Sequence, residues 1–146
     1  MGKAIIISVK PEFVSKILDG SKTIELRKAK PNINDDDIIL LYSTLPVKAI
    51  VGICRFERII EAAPEEIWTH YSHLVGIDKD RFIEYYKNTE TAIGIVLKDI
   101  NKLDRSITLD SLRKKMPTFT PPQTFKYFNK KQFLSHYKSL AFAFNG

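Results

Sequence analysis

One segment rich in isoleucine and valine, residues 48–61, most constrains how this chain can fold. Its β-branched side chains favour an extended strand, and the segment is long for a strand in a globular protein. Gly52 lies within it, where the absence of a side chain permits a β-bulge or the close approach of another backbone segment. Long strands bent in this way are how small sheets curve and close. The segment therefore predicts a curved, mostly antiparallel sheet.

Shorter strands and helices flank this segment on both sides. Strands are predicted over residues 4–9, 22–28, 38–43 and 91–100, and helices over residues 11–19, 64–74, 78–87, 109–116 and 130–139. Thr108 and Asn129 are the predicted N-caps of the last two helices. Residues 140–144 are predicted to form a closing strand. Few of the strands are joined by helices long enough for regular parallel crossovers. The predicted fold class is therefore α+β, a small curved β-barrel flanked by short helices.

Length and composition indicate a single domain over residues 1–146. The chain is 44% hydrophobic and 27% charged, which is typical of a globular protein with a proper core. Its one cysteine, Cys54, cannot form an internal disulfide, and no signal segment is apparent. Apolar runs such as residues 38–42 are far shorter than the roughly 20 residues that span a bilayer. We expect a cytoplasmic protein without a membrane role.

Positive charge is concentrated at the carboxy-terminal end. Residues 100–146 hold nine Lys or Arg and two Asp, a net charge of +7, whereas residues 1–99 hold 14 basic and 15 acidic residues, a net charge of −1. Aromatic residues are interleaved with the lysines between Phe119 and Tyr137. Basic groups attract phosphates and aromatic rings stack on bases, so the region suits nucleic acid. Core aromatics beside solvated lysines explain the same composition equally well.

The residues best suited to binding or catalysis lie in one short segment, residues 20–27. Its polar side chains after the helix-ending Gly20 include Lys22, Thr23, Glu25 and Arg27. Strand alternation directs Ile24 and Leu26 to one face and Glu25 and Arg27 to the other. One interpretation is an exposed ion pair between Glu25 and Arg27, worth about 0 to 1 kcal/mol. The other interpretation is the wall of a binding site.

The unit Gly-x-Lys-x-x-Glu-x-Arg over residues 20–27 resembles the signature of the ASCH domain family, which belongs to the PUA-like superfamily. Three later blocks resemble that family in the expected order: residues 42–52, residues 64–68 and residues 121–127. The resemblance covers nearly the whole chain. It implies a PUA-like fold, a small β-barrel flanked by helices, with a cleft that binds RNA or a modified nucleotide. The strand that carries the signature would form one wall of the cleft.

The resemblance also implies which side chains meet the nucleic acid. These are Lys22, Thr23, Glu25, Arg27, Ser43, Thr44, Gln123, Lys126 and Tyr127. Arg27 offers a planar, bidentate grip on a phosphate or a base edge, and Glu25 could accept hydrogen bonds from a base amino group. RNA or a nucleotide is the predicted partner, with its phosphates on the basic carboxy-terminal region. We predict no cofactor and no metal ion.

The alternative function is a small hydrolase that acts on nucleic acid, either a ribonuclease or a nucleoside amidohydrolase, with Lys22 and Glu25 as catalytic residues. The acetylcytidine amidohydrolases look similar over the same strand but carry threonine where this chain has Glu25, which argues against amide hydrolysis. Some ASCH proteins with the glutamate form resemble ribonucleases, so phosphodiester cleavage stays open. A third alternative is a protein-interaction module whose cleft takes an acidic peptide.

Overall fold

The computed structural model describes residues 2–138 and 140, and these residues contain six strands and five helices. The strands are β1 (Lys3–Val9), β2 (Ile24–Arg27), β3 (Ile38–Ser43), β4 (Ala49–Ala62), β5 (Ala92–Thr108) and β6 (Phe125–Asn129). The helices are α1 (Pro11–Asp19), α2 (Pro64–Tyr71), α3 (Lys79–Tyr85), α4 (Leu109–Lys115) and α5 (Lys130–His136). Within the same residues, each helix is too short or too polar to cross a membrane.

The six strands form one mixed sheet in the order β2-β5-β4-β3-β1-β6. Strands β1 and β3 run parallel, and the other four pairings are antiparallel. The α+β class and the mostly antiparallel sheet are thus confirmed. In the part of the chain that the structure describes, no pairing joins β2 to β6, so the sheet is open. The predicted closure into a barrel is therefore not confirmed.

The long strand predicted from residues 48–61 forms as β4, and it is irregular at Gly52. Leu41 of β3 pairs with Gly52, whereas the next residue of β3 pairs with Ile50, so one residue of β4 bulges out. A Cβ atom on Gly52 would lie 3.1 Å from Leu18 Cδ2 and 3.3 Å from Leu41 Cδ1. The glycine therefore both permits the bulge and lets α1 pack closely on the sheet.

Two strand assignments differ from the sequence-based expectations. Strand β5 continues to Thr108, well past the predicted end at residue 100, because it stays paired with β4 as far as Ala49. Strand β6 was not predicted at all, yet it pairs antiparallel with β1 at the edge of the sheet. Residues 101–108 of β5 are mostly polar and exposed, which hides the apolar alternation of a strand. In β6, three of the five residues are aromatic, and these were interpreted as core or base-stacking residues rather than as a strand.

The predicted helix caps are confirmed. Thr108 Oγ1 accepts a hydrogen bond from Ser111 N at 3.1 Å, and Asn129 Oδ1 accepts one from Gln132 N at 2.9 Å. The predicted strand at residues 140–144 falls, apart from Leu140, outside the described residues.

The sheet separates two apolar layers, each covered by helices. One face packs alternate residues of β1 and β3, such as Ile6 and Leu40, against α4 and α5. The other face packs the intervening residues, such as Ile5 and Leu41, against α1. A third cluster joins the apolar side of β2 to α2 and α3. Because successive strand residues point to opposite faces, α1 and the basic helices α4 and α5 lie on opposite sides of the sheet.

Asp37 connects the start of β1 to the loop that precedes β3. Its buried carboxylate accepts hydrogen bonds from Lys3 N and Asn34 N, each at 2.7 Å, and lies 3.0 Å from Lys3 Nζ. Burial raises the pKa of Asp37, but these N–H groups and the Lys3 ammonium outweigh it, so the pKa lies below its ordinary value of 3.8. The ionised form therefore stabilises the fold above the unfolded-state pKa, and this stabilisation is lost as the pH falls through the folded-state pKa.

Asp37→Asn is expected to lower the free energy of unfolding by about 2 kcal/mol at pH 7, because the charged acceptor of two buried N–H groups is lost. The deficit relative to the unmodified chain should shrink at acidic pH, where the aspartate itself becomes protonated. Urea denaturation at neutral and acidic pH measures both values. The exposed Asp35→Asn is the control and should change stability by less than about 0.5 kcal/mol. A deficit that stays constant with pH would contradict the role of the charge.

Candidate functional site

The site begins where α1 ends and the chain turns into β2. Gly20 adopts a left-handed φ of 89°, and its N–H donates to Ile17 O at 3.2 Å. Glycine adopts this conformation without the steric cost that a Cβ atom imposes. The turn brings Lys22 N to Lys16 O at 3.0 Å, and Thr23 N then donates to Leu74 O at 3.0 Å. This local geometry directs the Lys22 side chain into the protein.

Lys22 is buried, with only 2% of the residue exposed. Its Nζ donates to Ile24 O at 2.8 Å and to Val75 O at 2.6 Å, and it lies 3.5 Å from Glu25 Oε1. An ammonium group has three N–H donors: two donate to these carbonyl oxygens, and the third faces the Glu25 carboxylate. Burial lowers the pKa of Lys22, and the charge of Glu25 partly offsets that shift. Lys22 is therefore held in place by these contacts.

Glu25 lies between two cations. Arg27 Nε and Nη2 both donate to Glu25 Oε2, at 3.0 and 2.8 Å, while Glu25 Oε1 faces Lys22. Arg27 Nη2 also donates to Ser8 O at 2.6 Å, which ties β2 to the end of β1. The guanidinium carbon lies 5.6 Å from the centre of the Phe125 ring. We call Lys22, Glu25 and Arg27 the ion network.

The ion network lines the buried end of a cavity of about 490 Å³, between α1, β2 and α3. Half of the remaining lining residues are apolar or aromatic: Val9, Phe13, Leu26, Ile77 and Tyr85. Lys10, Arg81 and Glu84 are exposed and mark its open end. Ligand sites in proteins are commonly apolar cavities of about 300 to 1,000 Å³ with a few placed polar groups. This cavity has those properties.

An ion pair between α1 and α3 spans the open end of the cavity. Arg81 Nη2 lies 2.8 Å from Glu12 Oε1, and both side chains are exposed. The Arg81 guanidinium also lies 5.0 Å from the centre of the Phe13 ring, and Lys28 Nζ lies 4.9 Å from the centre of the Tyr85 ring. Each aromatic wall therefore has a cation beside it.

Four of the nine predicted binding residues line the cavity, and five do not. The four are Lys22, Glu25, Arg27 and Gln123. The five are Thr23, Ser43, Thr44, Lys126 and Tyr127. Their roles in binding stay predictions.

The five residues outside the cavity have partners of their own or are buried. Ser43 is buried at the end of β3, and the Thr44 N–H donates to Val9 O at 3.1 Å. Lys126 Nζ donates to Thr120 O at 2.7 Å, and the Tyr127 hydroxyl accepts from Asn32 N at 3.0 Å. The backbone N–H of Thr23 donates to Leu74 O, as described above. Their surroundings therefore differ from those of the ion network.

Sequence reasoning missed the contributions of α1 and α3 to the cavity. Phe13, Arg81 and Tyr85 were not among the predicted site residues. Arg81 and Tyr85 are four residues apart on α3, a spacing that places two side chains on one helix face. That spacing was a usable signal, but nothing local indicates that this face of α3 meets α1.

The other reactive groups are placed less favourably for chemistry. Burial raises the pKa of the Cys54 thiol far above its ordinary value, so this cysteine is not an activated nucleophile. In residues 2–138 and 140, no group of three or more His, Cys, Asp and Glu side chains is arranged to hold a metal ion.

Known proteins similar to this chain identify its family. Residues 2–116 match the family model described as "Domain of unknown function (DUF365)". The chain is 31% identical over 130 residues to an ASCH domain-containing ribonuclease of Zymomonas mobilis subsp. mobilis, covering 89% of this chain and 87% of that protein. The crystal structure of ASCH from Zymomonas mobilis is similar with a TM-score of 0.85 at 29% identity, covering 94% of this chain and 93% of the other.

A shorter similarity concerns a ribosomal protein. Over 101 residues the chain is 31% identical to the large ribosomal subunit protein uL22 of Ureaplasma parvum serovar 3, covering 68% of this chain and 32% of that protein. The resemblance drawn from residues 20–27 and the later blocks is confirmed by the longer similarities. The chain belongs to the ASCH domain family and to the family that the matching model describes.

Proposed function

We propose that the protein binds RNA, with one nucleotide held in the cavity above the ion network. The observation that carries the proposal is the composition of this cavity, which combines Arg27 at its buried end with the rings of Phe13 and Tyr85. Guanidinium groups hydrogen-bond to bases and phosphates, and aromatic rings stack on bases. The relatives named as a ribonuclease and as a ribosomal protein support RNA as the ligand class.

The positive charges available to the phosphates lie in two places. Lys10 and Arg81 lie at the open end of the cavity, where Arg81 would exchange Glu12 for a phosphate. The basic residues of α4 and α5 lie across the sheet from α1. A nucleotide in the cavity would therefore use Lys10 and Arg81, and a longer RNA would pass the edge strand β6 to reach α4 and α5.

Arg81→Gln is expected to weaken binding of a short single-stranded RNA about fivefold at low salt, because one phosphate contact is lost. The slope of log affinity against log salt concentration should become shallower by about 1. Fluorescence anisotropy with a labelled RNA measures both quantities. The matched control is Arg58→Gln, since Arg58 is also exposed, pairs with Glu57 at 3.8 Å and lies over Tyr71, yet does not line the cavity.

Equal effects of the two arginine changes would contradict the placement of RNA at the cavity. Binding that is absent, or that does not respond to salt, would contradict the proposal as a whole. Changes at Lys114, Lys126 and Lys130 test the longer path, because they should also make the salt dependence shallower if RNA reaches the opposite face.

Cleavage of the bound RNA is a second candidate function, favoured by the 31% identity to a protein named a ribonuclease. Lys22 and Glu25 would have to exchange hydrogen-bond partners to move a proton, because the Lys22 donors and both Glu25 oxygens already face partners. An assay with labelled RNA separates the two candidates. Cleavage that is lost in a folded Glu25→Gln variant would support catalysis in the cavity. RNA that stays intact at a saturating protein concentration would support binding without cleavage.

A further inference from the structure

We propose that the cavity selects bases that carry a keto oxygen, such as uracil and hypoxanthine, over the matching bases that carry an amino group, cytosine and adenine. The inference rests on the proposed function, since it names the class of nucleotide that the same cavity would take. It concerns the oxygen at position 4 of a pyrimidine and position 6 of a purine. Three properties of the ion network and the wall support it.

First, Arg27 has the hydrogen-bond donors that are available to a ligand at the buried end. Two donors of Lys22 are hydrogen-bonded to carbonyl oxygens and the third faces Glu25, and its side chain is 3% exposed, against 8% for Glu25 and 12% for Arg27. Within residues 2–138 and 140, Arg27 Nη1 has no hydrogen-bond partner, whereas its Nε and Nη2 have partners. Nη1 carries two N–H groups, so this position requires an acceptor on the ligand.

Second, the Glu25 carboxylate, which is the side-chain acceptor at the buried end, already contacts two cations. Glu25 Oε2 receives two hydrogen bonds from Arg27, and Glu25 Oε1 faces the Lys22 ammonium. An amino group of a base would therefore compete with two fixed cations for the carboxylate. Glu25 is better described as the group that orients Arg27 than as the acceptor of a base amino group.

Third, the wall favours a nucleotide that enters with its base first. Val9, Leu26 and Ile77 line the cavity, and a charged phosphate loses more hydration in apolar surroundings than a neutral base does. Lys10 and Arg81 lie at the open end and suit the phosphate there. With the sugar and phosphate outside, the base substituent that reaches furthest inward is the one opposite the sugar, at position 4 or 6.

A keto oxygen at that place accepts a hydrogen bond from Arg27 Nη1. An amino group there would set donor against donor, so that substituent would offer Nη1 no acceptor. Protein sites that hydrogen-bond one ligand group discriminate strongly against ligands in which that group cannot pair.

Isothermal titration calorimetry with four nucleoside monophosphates tests the inference. UMP and CMP form one pair and IMP and AMP the other, because the members of each pair have the same charge and nearly the same size. UMP and IMP are expected to bind about tenfold more tightly than CMP and AMP, as a buried hydrogen bond to a base edge implies. Arg27→Lys keeps a positive charge beside Glu25 but removes Nη1, so it should reduce the preference to less than about twofold.

Arg81→Gln is the matched control for the phosphate. It should weaken all four nucleotides by a similar factor and leave both ratios unchanged, since it meets the phosphate and not the base. Circular dichroism verifies that each variant is folded. The comparison of the four nucleotides is made first on the unmodified chain and does not depend on any variant.

The outcomes separate this inference from the proposed function. Equal affinities within each pair, or tighter binding of CMP and AMP, would overturn the keto selectivity and leave nucleotide binding intact. A preference that survives in Arg27→Lys would overturn the assignment to Arg27. No binding of any of the four nucleotides, together with no binding of RNA, would overturn both proposals.

Discussion

Glu25→Ala is expected to lower the free energy of unfolding by about 3 to 5 kcal/mol, because it removes the shared partner of one buried cation, Lys22, and one largely buried cation, Arg27. Lys22 and Arg27 would remain in the protein, with side chains 3% and 12% exposed, and would repel one another without the carboxylate between them. Arg27 would keep Ser8 O as a partner, and Lys22 would keep two carbonyl oxygens. Neither contact neutralises a charge. Urea denaturation at neutral pH measures the loss.

A second glutamate provides the comparison. Glu61 pairs with Lys30 at 3.3 Å, but their side chains are 50% and 60% exposed. Glu61→Ala should therefore cost only about 0 to 1 kcal/mol, since water solvates both charges after the pair is broken. Similar losses for Glu25→Ala and Glu61→Ala would show that the ion network behaves as a surface pair, and the description of the cavity would be wrong.

Gly76→Ala is expected to destabilise the protein by about 3 kcal/mol, through backbone strain and overpacking together. Gly76 has a φ of 64°, and a Cβ atom there would lie 2.7 Å from Lys22 Cβ and 2.9 Å from its Cγ and Cδ. The contact involves the stem of Lys22, which three partners hold in place, so it cannot move aside without breaking the ion network. Thermal or urea denaturation measures the loss, and RNA affinity should fall with it.

Gly20→Ala separates strain from packing. Gly20 also has a positive φ, 89°, but no atom lies within 4 Å of the position of its Cβ. This variant should cost only the left-handed backbone energy of about 1 to 2 kcal/mol and should leave RNA affinity unchanged. If the two glycine variants lost the same stability, the close packing of Gly76 on Lys22 would not matter to the fold.

Local patterns predicted much of the sheet and of α1. The apolar residues and Pro11 of residues 11–19, followed by Gly20, predicted a helix whose bounds the structure reproduces. Alternation along residues 24–27 correctly placed Ile24 and Leu26 in one apolar cluster, while Glu25 and Arg27 pair with each other; Leu26 also lines the cavity. The β-branched run and Gly52 predicted the long irregular strand. Each of these features is determined by residues close together in sequence.

Contacts between distant segments could not be predicted in this way. Val75 O, which fixes the Lys22 ammonium, belongs to the loop between α2 and α3 and carries no sequence signal for that role. The ring of Phe125 beside Arg27 comes from β6, a strand that the sequence pattern did not predict. The basic residues of α4 and α5 were expected to serve the cleft, yet the sheet lies between them and α1. Charge composition does not indicate the face on which a helix packs.

A crystal structure of the protein with UMP tests the central claim most directly. The account predicts the uracil ring inside the cavity, its O4 within hydrogen-bond distance of Arg27 Nη1, and the phosphate beside Lys10 and Arg81. The ion network should keep its contacts in the complex. UMP bound against α4 or α5 with the cavity empty would contradict the account, and so would a phosphate at the buried end beside Glu25.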